Sequence, residues 1–150
     1  MNPATRRRAL LAASVFGLCD GMTSILGVVV AARSHPDLVP WFAAVGGIGA
    51  GLSMANGQYQ SEDNDDSIPA DLMLGAATFI GSVLPATPYL LLRGQPALWA
   101  TGAICLILAG IVAHLRANGS RRRVLLLVAL SALVFAVTLG CALLAPTGGA

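Results

Sequence analysis

The stretch Ala9-Leu-Leu-Ala-Ala-Ser-Val-Phe-Gly-Leu-Cys-Asp-Gly-Met-Thr-Ser-Ile-Leu-Gly-Val-Val-Val-Ala-Ala32 carries a single charge, Asp20. A bilayer's hydrocarbon core, ~30 Å thick, is crossed by about 20 apolar residues wound as a helix. The stretch meets that length. Four further apolar segments follow at about Trp41–Tyr59, Ala70–Leu92, Ala97–Leu115 and Val124–Ala145. In lipid each segment must satisfy its own backbone hydrogen bonds, so each is expected to be a helix. Short connections marked by Pro36, Pro40, Pro69, Gly94, Pro96 and Gly119 join them. No linker divides the chain and no repeat is visible. The expectation is an all-α integral membrane fold, one domain over 1–150, with five transmembrane helices.

Composition agrees. Of the residues 56% are hydrophobic and 11% charged, with a mean hydropathy of +0.76. A soluble domain carries roughly 25% charged residues. The cations are all arginine, and six stand in two triplets, Arg6–Arg8 and Arg121–Arg123, that abut apolar segments. Such triplets set topology, and no nucleic-acid partner is expected. With the N-terminus inside, Arg6–Arg8, Arg116 and Arg121–Arg123 (seven) are cytoplasmic, against Arg33 and Arg93 (two) outside. That bias predicts N-in, C-out; in a bacterium the membrane would be the plasma (inner) membrane. A twin-arginine signal peptide is the rival reading of the first residues, but Asp20 would interrupt its apolar region and no soluble cargo follows. Cys19, Cys105 and Cys141 lie in apolar runs without disulfide or zinc spacing.

Asp20 is the candidate for chemistry. At 1.5 Å per residue it lies roughly 16 Å into its segment, near mid-bilayer, where a carboxylate costs about 3 kcal/mol or more. Gly17, Asp20, Ser24 and Gly27 recur at helical spacing and are expected to share a small, polar face. In the second segment Gly47 and Gly51 allow close helix approach. Met54, Gln58 and Glu62 then follow at intervals of four; Met54 offers a soft thioether to a transition metal. Pro85 and Pro88 are expected to kink the third helix and free the carbonyls of Gly81 and Leu84, as in helices that line transporter cavities. Glu62, Asp63, Asp65 and Asp66 form an acidic loop without calcium-loop spacing. It reads as an electrostatic funnel at a cytoplasmic mouth. His35 and His114 have no assigned role.

Three segments in order resemble the vacuolar iron transporter family. Asp20-Gly-Met-Thr-Ser-Ile-Leu-Gly27 is similar to its first-helix motif. Gly51-Leu-Ser-Met-Ala-Asn-Gly-Gln-Tyr59 is similar to its second, and Gly81-Ser-Val-Leu-Pro-Ala-Thr-Pro-Tyr89 to its third. The resemblance implies a twofold homodimer with a path between the first helices, Asp20 and Met54 as metal donors, and exchange of ferrous iron or manganese for protons. Two departures stand out. Gln58 replaces a family glutamate, and only Gln60–Pro69 fills the gap where iron-transporting members insert a Glu-rich domain.

The expectation is a non-enzymatic exporter of divalent transition metals with no permanently bound cofactor. Fe2+ or Mn2+ is its cargo, and protons, lipid and a second copy are its partners. Ser24, Gln58 and the four loop acids line the path or its mouth. A membrane phosphotransferase would need further aspartates after Asp20-Gly21, which the helix lacks. A non-transporting packing or partner subunit is the alternative.

Overall fold

The computed structural model describes residues 2–32, 34–61, 68–116 and 121–144. All five expected segments are helical, and no strand occurs among the described residues: α1 is Pro3–Ala31, α2 Val39–Ser61, α3 Ile68–Ala86, α4 Gln95–Arg116 and α5 Arg121–Leu144. A 3-10 turn at Pro36–Leu38 leads into α2, and another at Thr87–Leu90 follows α3. Four helical spans are long and apolar enough to cross a membrane: Pro3–Ala31, Pro36–Ser61, Ile68–Leu90 and Gln95–Arg116. In α5 the apolar stretch found is Val124–Val134.

Most boundaries shift by one to three residues from the sequence expectation, and two shift by six, each for a local reason. Helix α1 starts before the arginine triplet, not at Ala9. The Asn2 side chain accepts a hydrogen bond from the Ala4 amide (3.1 Å), and Pro3 supplies a preset first turn. The third helix stops at Ala86 and tightens into the 3-10 turn, because Pro85 and Pro88 remove two amide donors. The Leu84 carbonyl accepts from the Thr87 hydroxyl (2.7 Å), and the Pro85 carbonyl from the Thr101 hydroxyl of α4 (2.7 Å).

Helix α3 is the centre of the bundle, with α1 and α2 packed along it. Glycine permits both contacts. A Cβ added at Gly21 would stand 2.7 Å from the Ser82 amide nitrogen, and one at Gly81 2.6 Å from the Leu18 carbonyl oxygen. On the other flank, a Cβ at Gly51 would lie 2.6 Å from the Gly75 carbonyl oxygen. Helix α4 closes on α1 through Cys105, which clusters with Met22 and Leu26, and α5 packs beside α1 and α4. A second cluster, including Ile25, Val29, Val39, Ala43 and Ala97, seals the end away from the N-terminus. Outside this core the bundle is apolar and exposed, as a lipid-facing surface is. Trp41 (71% exposed) and Trp99 (73%), at the starts of α2 and α4, ring one end as an interfacial aromatic belt does.

Candidate functional site

The buried polar and charged side chains of the described residues are few: Asp71 (3% exposed), Thr78 (0%), Ser82 (4%) and Thr101. Three of the four belong to α3. Asp71, Thr78 and Ser82 are seven and four residues apart, so they form one stripe along the helix. The stripe runs along the junction of α1, α2 and α3. Ser82 marks that junction. Its hydroxyl lies 3.5 Å from the Gly21 carbonyl of α1, and its Cβ would be 3.1 Å from a Cβ on Gly47 of α2.

Hydroxyl hydrogens along these helices are directed back into the backbone. Thr78 donates to the Leu74 carbonyl (3.0 Å), Ser82 to Thr78 (3.0 Å) and Thr23 to Cys19 (2.8 Å). Such bonds hold the rotamers and leave the oxygen lone pairs as acceptors.

Asp20 is half-buried on α1, immediately before the Gly21 contact. Around the helix it turns away from Gly17 and Gly21, toward the α2 side of the seam. Ser24, one turn on, shares that side and is exposed. The face expected for Gly17, Asp20, Ser24 and Gly27 varies in burial along its length. Gly17 is buried against α3, where an added Cβ would lie 2.8 Å from the Thr78 amide nitrogen, while Asp20, Ser24 and the half-buried Gly27 form the open side.

Met54 and Gln58 are half-buried on α2. They lie beyond the Gly51–Gly75 crossing, toward the α2–α3 connection. Asp20 and Met54 thus flank the same junction at different depths. Gly17 and Gly51 both meet α3 near Leu74 and Gly75. Asp20 is three residues from that level in one direction and Met54 three residues in the other, an axial offset of about 9 Å at 1.5 Å per residue. Glu62, Asp63, Asp65 and Asp66 lie outside the described residues.

Pro85 is buried and Pro88 half-buried at the far end of α3. Beside them a cleft of about 480 Å³ is lined by Asp37, Trp41, Tyr89 and Arg93, among others. Among the described residues no three His, Cys, Asp or Glu side chains gather as a metal site. The donors along the junction are mixed: carboxylate, thioether, amide, hydroxyl and backbone carbonyl.

Sequence reasoning passed over Asp71, Thr78 and Ser82 as site residues. Asp71 follows the last acid of the loop, Asp66, by five residues, and that proximity hides its place on α3. The signal that would have found all three is their common stripe on α3. No family model matches the chain, and neither a curated protein nor a solved structure matches it.

Proposed function

We propose that this protein moves divalent transition-metal cations, ferrous iron or manganese, out of the cytoplasm in exchange for protons. It works as a twofold dimer of protomers with five crossings, N-terminus in and C-terminus out, in a membrane that in a bacterium would be the plasma membrane. The observation that carries this reading is the three-helix junction. Half-buried Asp20 and Met54 flank a buried polar stripe inside a bundle that is otherwise almost wholly apolar. Intramembrane carboxylates are costly and mark ion and proton pathways. A carboxylate with a thioether suits a borderline cation. The ordered resemblance of the three motifs to vacuolar iron transporters supports the same cargo.

Exchange follows from the chemistry of Asp20. No lysine exists in the chain, and the described arginines sit at helix ends or connections. The charge of Arg116 reaches Cys19, next to Asp20, and a proton or the cation supplies the rest of the neutralisation, each displacing the other. The open side of α1 around Asp20 and Ser24 is where a second copy would complete the path.

One observation favours the alternative of a packing subunit. The glycine seams are tight on both flanks of α3, as they are in a bundle built only to associate. Flux measurement separates the two. Purified protein in proteoliposomes should carry Mn2+ down its gradient and move protons the opposite way. Asp20→Asn, nearly isosteric, should keep the fold and lose metal-coupled proton movement. Asp20→Asn with wild-type rate and pH dependence would make Asp20 structural, and wild-type protein without flux would leave the packing subunit.

A further inference from the structure

Asp71 is the buried carboxylate of the described residues, yet the proposed exchange at Asp20 does not use it. Its neighbours follow from the packing of α2 on α3. These helices cross at Gly51 and Gly75, and a Cβ on Gly75 would meet the Ala55 Cβ at 3.0 Å. Moving from that crossing toward the α2–α3 connection brings Met54 and Ala55 level with Asp71 and Leu72.

The seam between the two helices has two sides. One is an apolar groove of about 270 Å³ lined by Ile48, Leu52, Ala55, Leu72, Ala76 and Phe79. In antiparallel helices, residues rotated the same way from the contact line emerge on the same side of the seam. Ala55 and Leu72 are rotated toward the groove. Met54 and Asp71, each one position earlier, are rotated about 100° away from it, onto the side where α1 packs.

We infer that Asp71 and Met54 form one cation station at the inner mouth, distinct from a deeper station at Asp20. This rests on the transport reading above and refines it: within a protomer, Met54 shares its level with Asp71. Seven residues along α3 separate Asp71 from Thr78, the level of Asp20, so the two stations are about 10 Å apart. The Thr78 oxygen lies on the stripe at the level of the deeper station, and the Ser82 oxygen one turn beyond it. A cation arriving from the acidic mouth meets a carboxylate and a soft sulfur together, a pair that favours Mn2+ or Fe2+ over Ca2+.

The test measures the half-saturating Mn2+ concentration in proteoliposomes for single and paired variants. Asp71→Asn should raise it about tenfold or more, the loss expected for one charged ligand. Met54→Leu should raise it as well, and the pair should exceed the larger single effect by no more than about twofold, because both hold the same ion. Asp71→Asn combined with Asp20→Glu should instead multiply the separate effects. Asp71→Glu keeps the charge and guards against misfolding of the Asn variant; it should still raise the half-saturating Mn2+ by about threefold, since one methylene displaces the ligand. An unshifted value in a folded Asp71 variant overturns the inference, as do effects of Asp71 and Met54 that multiply. Absence of flux in the wild-type protein would overturn the transport reading itself.

Discussion

Two threonines settle how α3 ends. Pro85 and Pro88 take donors away from the helix, and Thr87 and Thr101 return hydroxyls to the Leu84 and Pro85 carbonyls. Thr101 is fully buried, so Thr101→Val leaves a carbonyl without its donor where water cannot replace it. Such a loss costs about 1–3 kcal/mol. Thr101→Val should lower the unfolding temperature in detergent clearly, and the more exposed Thr87→Val should lower it less. Equal shifts would mean that burial is not the deciding factor. Thr87 could be read from the sequence as a local remedy for the kink, since it lies three residues from the carbonyl it serves. Thr101 could not, because its partner is on another helix. Asp20 stands out in the sequence for a different reason: it is the single charge in an apolar segment, which counting alone reveals. The burial of Asp71 depends on which face of α3 is enclosed, and three helices decide that together.

The glycines show the same divide at the level of elements. Gly47 and Gly51 announce a close approach by their spacing, and the structure sets both against α3. Their partner Gly75 had no such spacing to announce it. Gly46 and Gly49, in the same helix, meet nothing within 4 Å, so glycine content alone does not locate a seam. Substitution should separate the two classes. Gly75→Leu and Gly21→Leu place side chains against backbone that cannot yield, at or above the usual 1–3 kcal/mol of overpacking. Both should lose monodisperse protein in size-exclusion chromatography, whereas Gly46→Leu and Gly49→Leu should elute as wild type. A well-behaved Gly75→Leu would mean that α2 can slide along α3.

For the whole molecule, the helical plan was legible from hydropathy, and four of its spans have the length and composition to cross a membrane. The direction of the bundle rests on its arginines. Arg6, Arg7, Arg8, Arg116, Arg121 and Arg122 are exposed at helix ends that share one side of an up-and-down bundle, opposite Trp41 and Trp99. Reporter fusions after Gly94 and after Ala150 should therefore both report the non-cytoplasmic side. A cytoplasmic signal after Gly94 would invert the bundle, and one after Ala150 would remove the fifth crossing.

The central place of α3 has a consequence for how the chain is made. Among the four candidate spans its mean hydropathy of 1.4 is the lowest, and it carries Asp71 and three prolines, Pro69, Pro85 and Pro88. An aspartate alone raises the apparent insertion free energy of a segment by about 2.5–3.5 kcal/mol when central, less near an end. Released into lipid alone, α3 would carry the Asp71 cost uncompensated. The α1–α2 hairpin, synthesised first, already presents Gly17, Gly21, Gly47 and Gly51 as a cradle. Deleting α1 and α2 should therefore impair insertion of α3 into membranes, and unimpaired insertion would show that it needs no partner.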